Sequence, residues 1–200
     1  MPVVGVLALQ GDFAEHITML RRIGADTREV RLPADLDGLD RLIIPGGEST
    51  TIGKLASDFN LIGPLKAFGA AKPIWGTCAG AIFLSKDATR SKEGQPLLGL
   101  MDITIQRNAF GRQVDSFEIE MDVPALAALS PKNPPFSAVF IRAPLIESVD
   151  APDVEVLAKV DNAIVAARQG HLLATSFHPE LNQDDRFHQY FLTLNPPTNR

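Results

Sequence analysis

The chain has 200 residues, 45% of them hydrophobic, a single cysteine and a formal net charge of -5. A chain of this length buries roughly 70% of its unfolded surface, which suits one compact domain over 1–200. The negative balance, without any basic run interleaved with aromatics, excludes a general affinity for nucleic acid or anionic membrane; one cysteine excludes an internal disulfide framework and fits a reducing, cytoplasmic setting; and no stretch reaches the ~20 apolar residues of a membrane span.

Val3 to Leu9 is a continuous apolar run, the pattern of a strand buried on both faces. Asp12 with Glu15 three residues on reads as a helix start, and Phe13, Ile17, Leu20 and Ile23 follow at helical spacing until Gly24. Thr27 to Leu32 reads as a second strand and Arg41 to Ile44 as a third, which stops at Pro45-Gly46-Gly47. Helical patches at Ile52 to Phe59 and Ile62 to Ala70 precede a short strand, Pro73 to Trp75, and a helix from Ala79 to about Ser85. Strands alternating with helices imply parallel pairing with helices on both faces. Lys86 to Pro96 is polar and reads as a surface loop. Beyond it the character changes to short strands at Met101 to Gln106, Phe117 to Met121, Ala138 to Ile141, Val154 to Lys159, Ala163 to Ala167 and Leu172 to Ser176, partly antiparallel. Pro124 to Pro135 is a proline-bearing excursion with one helical turn at Ala125 to Leu129, Asp184 to Leu194 is a last helix, and 195–200 a frayed tail.

Between the fourth strand and its helix lies Gly76-Thr77-Cys78-Ala79-Gly80. A nucleophile flanked by glycines at that place marks a sharp strand-to-helix turn that lifts the side chain toward a substrate. A lone cysteine is more often a small buried hydrophobe than a catalyst, so the case needs partners. His178-Pro179-Glu180 supplies them after the apolar run Leu172 to Phe177. The residue before proline is held extended, and residues two apart in extended chain point the same way, which sets the carboxylate beside the imidazole. His178 is then the base for Cys78, and Glu180 its orienting partner. Oxyanion donors fall to the backbone amides of Ala79, after the nucleophile, and of the Gly46-Gly47 turn at a strand's carboxyl end.

These residues resemble class I glutamine amidotransferases. Leu7 to Gly11, Pro45 to Thr51, Arg107 to Phe117, Phe140 to Pro144 and Ser176 to Leu181 resemble, more narrowly, the glutaminase subunits of pyridoxal 5′-phosphate synthases, in order from about Val3 to Leu192. The resemblance implies a flavodoxin-like α/β fold, a central mixed and mostly parallel sheet flanked by helices with an antiparallel extension. It implies a glutamine pocket of Gly47, Glu48, Ser49, Arg107, Ile141 and Arg142, and it places Gln10 near the oxyanion site and the face that meets the synthase. Free glutamine carries an α-carboxylate and an α-ammonium, for which Arg107, Arg142 and Glu48 are the charged candidates, with the pairing left open. No cofactor or metal is expected in this chain; His16, His171 and His188 lack metal-ligand spacing and read as ordinary structural residues. The expected partner is a synthase subunit, with glutaminases decorating a synthase ring. Trp75, Arg41 and the Pro124 to Pro135 segment depart from the family's usual pattern. A cysteine peptidase on a related fold has no use for charges that read a free amino acid, and a catalytically silent docking subunit has no use for an intact Cys78, His178 and Glu180.

Overall fold

The computed structural model describes residues 2–107, 109 and 116–197; most of the motif from Arg107 to Phe117, and the end of the tail, lie outside them. The first half alternates strands and helices: β1 (Val3–Leu7), α1 (Phe13–Arg22), β2 (Asp26–Val30), β3 (Arg41–Ile44), α2 (Ser49–Asp58), α3 (Ile62–Ala71), β4 (Ile74–Thr77) and α4 (Ala79–Leu84). The second half is mainly strand: β5 (Ser85–Thr89), β6 (Met101–Gln106), β7 (Ser116–Met121), β8 (Phe136–Ile141), β9 (Leu145–Val149), β10 (Val154–Val160), β11 (Ala163–Gln169) and β12 (Leu172–Thr175), closed by α5 (Arg186–Thr193). Among the described residues no helix is long and apolar enough to cross a membrane.

Ten of the described strands form one sheet in the order β2-β1-β3-β4-β12-β11-β9-β6-β5, with β10 paired to β11. From β2 through β12 the pairs are parallel; β11 turns antiparallel against β12, β9 and β10, and β6 runs antiparallel to β9. The mixed sheet with an antiparallel extension therefore follows the expected class. Alternate side chains of the central strands enter two different apolar clusters. Leu42, Ile44, Ile74 and Leu172 join Ile52, Leu65 and Phe83 from α2, α3 and α4, whereas Val4, Val6, Ile43, Trp75 and Leu173 join Leu20 of α1 and Phe187 and Phe191 of α5. This is the two-residue period of a strand covered on both sides.

Several local expectations change. Lys86 to Pro96 is not all loop, because Ser85–Thr89 forms β5 along β6; β9, unanticipated, lies between β11 and β6. Asp12 precedes α1 but its side chain makes no capping hydrogen bond. The helical turn of the proline-bearing excursion is shorter than expected and spans Pro124–Leu126. Two of the expected departures have structural work: Arg41 donates to the carbonyls of Leu192 at 2.7 Å and Leu194 at 2.8 Å, closing the free end of α5, and Arg186 donates to Pro134 O at 2.8 Å and Pro135 O at 3.2 Å, fastening the proline-bearing excursion to the start of α5.

β7 and β8 pair as a separate antiparallel ribbon. Phe136 and Phe140 of β8 pack on Phe177 with ring centres 5.7 Å away in each case. The carbonyl of Val139 accepts from His178 N at 2.8 Å. The ribbon thus fixes the backbone of His178 and carries Ile141 and Arg142 to the same edge.

Candidate active site

Gln10, Gly47, Cys78 and His178 follow the carboxyl ends of β1, β3, β4 and β12, adjacent parallel strands. That is the edge at which open parallel sheets bind ligands. Cys78 has φ 46° and ψ -106°, a conformation unfavourable for any side chain but glycine, between the last residue of β4 and the first of α4. The flanking glycines make the turn possible: a Cβ on Gly80 would strike the carbonyl of Ile44, and one on Gly76 the carbonyl of Gly80. The strained turn presents the thiol on the wall of a cavity of about 500 Å³, together with Gly47, Glu48, Ser49, Ala79, Arg107, Ile141, Arg142 and His178.

Every sequence-nominated site residue meets this cavity except Gly46, which precedes Gly47 in its turn, and Glu180, which stands behind His178. Glu180 Oε1 accepts from His178 Nδ1 at 2.8 Å. The pair meets by a route other than extended chain, since Pro179–Leu181 forms a single 3-10 turn that swings the carboxylate under the ring. Although burial opposes charge on His178, hydrogen bonds with Asp12, Cys78 and Glu180 push its pKa up to about 12. Burial pushes the Glu180 carboxyl up, against the pull of His178.

Asp12 is a residue the sequence misassigned. Instead of capping α1, its Oδ2 lies 3.3 Å from His178 Nδ1, beside Glu180. Asp12, His178 and Glu180 offer ligand atoms within 4.8 Å of one another, but Nδ1 sits between two carboxylates, which is the setting of a protonated imidazole rather than of a bare ligand nitrogen. His16 and His188, expected to be structural, are both 0% exposed, and His16 Nε2 lies 3.3 Å from Glu180 Oε2. His171 is bonded to Gly69 O at 2.7 Å and stays structural.

The mouth of the cavity is held by side chains crossing between loops. Gln10 Oε1 accepts from Glu48 N at 2.7 Å, and Asp12 N donates to Gly46 O at 3.1 Å. The Gln10 carboxamide lies so close to Gly47 that a Cβ there would collide with its oxygen. Glu48 caps α2, accepting from Thr51 N at 2.7 Å and Thr50 N at 3.2 Å, and pairs with Arg107 at 3.0 Å. Burial works against the Glu48 charge, yet the bonds to Thr51 and Thr50 bring its pKa down to about 2. Among the described residues the buried Ser49 hydroxyl has no hydrogen-bond partner, and Ser49 borders the same cavity.

Comparison with known proteins gives the chemistry a family. The model of the SNO glutamine amidotransferase family matches residues 6–195. Pyridoxal 5'-phosphate synthase subunit PdxT of Herpetosiphon aurantiacus is 60% identical over 194 residues, 96% of this chain and 99% of the relative. The PdxT of a Roseiflexus species is 54% identical with 96% and 99% covered. A crystal structure of a glutamine amidotransferase superposes with TM-score 0.87 at 48% identity, covering 96% of this chain and 97% of that one. PurLQS from Thermotoga maritima, at 17% identity and TM-score 0.69 over 96% of this chain and 97% of that one, shares the fold alone.

Proposed function

This chain belongs to the SNO glutamine amidotransferase family, and we propose that it hydrolyses L-glutamine to L-glutamate and ammonia, and passes the ammonia to a synthase subunit that makes pyridoxal 5′-phosphate. The observation that carries the reading is Cys78 on a strained turn facing a cavity with the His178–Glu180 pair at its side. The relatives named as PdxT supply the biosynthetic context.

Cys78 sulfur, its proton held by His178, attacks the side-chain carboxamide carbon of glutamine. The C–S bond forms as the carbonyl electrons move to oxygen, and the amides of Gly47 and Ala79 receive that oxyanion. His178 gives its proton to the leaving nitrogen, ammonia departs, and a glutamyl thioester remains. Water, deprotonated by His178, attacks the thioester; the C–S bond breaks, glutamate leaves, and the proton returns the site to its starting state. Glu180 supports the imidazolium and holds its orientation throughout. Arg107, Arg142 and Glu48 read the charged ends of the free amino acid, with Ser49 and the backbone at Ile141 beside them. A peptidase would have no use for this set of charges.

Gln10 couples the site to the partner. Its hydrogen bond to Glu48 N ties the first loop to the Gly46-Gly47 turn, so a synthase subunit that presses on that loop sets the oxyanion donors. We infer a single glutaminase domain in the cytoplasm, several copies of which bind around a synthase ring. The test is glutamate formation from glutamine with and without the synthase subunit. Cys78→Ala abolishes release, by about 10⁴-fold or more, while partner binding persists; substantial turnover by the purified variant would remove Cys78 as the nucleophile.

A further inference from the structure

Behind the triad lie two histidines that the reaction above leaves unused. His16 on α1 and His188 on α5 are both 0% exposed and lie edge-on to Trp75, with ring centres 5.7 and 4.9 Å away. His16 Nδ1 is 2.9 Å from His188 Nε2. His16 Nε2 is 3.2 Å from Thr77 Oγ1 and 3.3 Å from Glu180 Oε2. That oxygen is the one Glu180 does not give to His178, and it is buried with no hydrogen-bond partner among the described residues.

The proton positions follow by elimination. Burial keeps both rings neutral: it lowers His16 well below 6.5, helped by the nearby His188 and His178, and with the charge of Arg22 it holds His188 at about 3. Each ring then carries one proton. Placed on His16 Nδ1, that proton would go to His188 Nε2 and force an N–H onto His188 Nδ1, a buried atom with no partner among the described residues. It would also leave a bare His16 nitrogen against the Glu180 carboxylate. Placed on His16 Nε2, it points toward Glu180 Oε2 and Thr77 Oγ1, His16 Nδ1 accepts from His188, and only a bare lone pair is left at His188 Nδ1. An unpaired acceptor beside Trp75 costs less than an unpaired donor plus a lone-pair clash.

We propose that His16 is a positioning residue for the triad, its Nε2–H holding the second oxygen of Glu180 so that the first stays in line with His178 Nδ1 as the imidazolium forms and reverts. The inference rests on the glutaminase reading. His16 Nε2 is hydrogen-bonded to Thr77 Oγ1 at 3.2 Å and lies 3.3 Å from Glu180 Oε2; the positioning role requires the second contact to tighten into a hydrogen bond as charge develops, as catalytic hydrogen bonds do between the unliganded and reacting states. A donor on Oε2 counters the upward push that burial exerts on the Glu180 carboxyl. Because the donor is neutral, it does this without rivalling His178 for the charge. The titratable groups facing Glu180 are His178 and Asp12 on the cavity side and His16 on the buried side, and Glu15 and Arg22 of α1 line the surface pocket that Glu180 borders. His188 fixes the tautomer of His16 from α5.

Two measurements on the full chain test it. Nitrogen-15 NMR of the wild type at neutral pH shows His16 as a neutral Nε2–H tautomer; an Nδ1–H tautomer or a charged ring overturns the proposal, and this reading holds even where a variant fails to fold. In the presence of the synthase subunit, His16→Leu lowers kcat for glutamate release by about tenfold with KM within about twofold. The same variant moves the acidic limb of the pH profile upward, since the Glu180 carboxyl loses a donor. His16→Gln, which keeps a nitrogen donor near the same place, recovers most of the loss. Wild-type kcat in His16→Leu, or equal losses in both variants with an unmoved limb, overturns the positioning role alone. A wild type that releases no glutamate overturns the glutaminase reading as well.

Discussion

In front of Cys78 the polar groups are spread over loops and partly open to water: the Glu48 side chain is 48% exposed and that of Arg107 18%, and Gln10 reaches across from a third segment. Behind His178 the side chains of Glu180 and His16 are both 0% exposed, enclosed by Trp75, α1 and α5. The front is joined by hydrogen bonds that exchange readily with solvent or substrate, whereas the rear is set in close-packed aromatic surroundings with few alternative partners. The contrast separates two tasks. On the proposed function, orientation of the base is built into the core and is complete without any ligand, while recognition of glutamine, and the response to a partner, fall to the loops.

Three substitutions sharpen or break that division. Glu180→Gln keeps an acceptor for His178 but removes the buried charge, and kcat falls by about 10³-fold or more with KM little altered. A loss below tenfold would show that activation of the cysteine does not depend on the rear. Arg107→Ala removes a charged contact at the front and raises KM for glutamine by about 10- to 100-fold with a smaller change in kcat. If kcat fell and KM stayed, the front would be taking part in the chemistry. The smallest effect is on stability. Glu48, with a folded pKa near 2 against an ordinary 4.5, stabilises the fold above pH 4.5 and loses that contribution as pH falls toward 2. Denaturant unfolding of Glu48→Gln therefore shows a deficit at pH 7 that shrinks across this window; a deficit constant with pH would mean that the carboxylate charge adds nothing to the cap.

Much of the molecule was legible from residue order because the central strands are short apolar runs ended by glycine or proline. The same runs expose Cys78 and His178 as strand-end residues. What escaped notice did so for local reasons. In β5, Ser-Lys-Asp-Ala-Thr is polar because it forms an edge strand, with Ser85 and Ala88 alone buried. In β9, Leu-Ile-Glu-Ser-Val buries only Ile146, too little alternation to mark it. Asp12 has the position and type of a helix cap, and nothing nearby in sequence tells that its carboxylate turns to His178. His16 follows the helical pattern of α1, while its partners Thr77, Glu180 and His188 lie far along the chain. Spacing reveals chemistry when the partners are neighbours, as in His178-Pro179-Glu180, and conceals it when the fold assembles them.

Trp75, the chain's one tryptophan, lies wholly within the rear region, its Nε1 donating to Thr175 Oγ1 at 3.1 Å and its ring against both buried histidines. The protein therefore carries a built-in optical reporter with a single address. Indole emission is sensitive to the charge and motion of an adjacent imidazole, and no other tryptophan is present to blur the signal. Titrating glutamine or the synthase subunit while watching that emission reads the rear of the site: an unchanged spectrum marks an event confined to the loops, and a changed one marks a disturbance that has reached the core around Trp75.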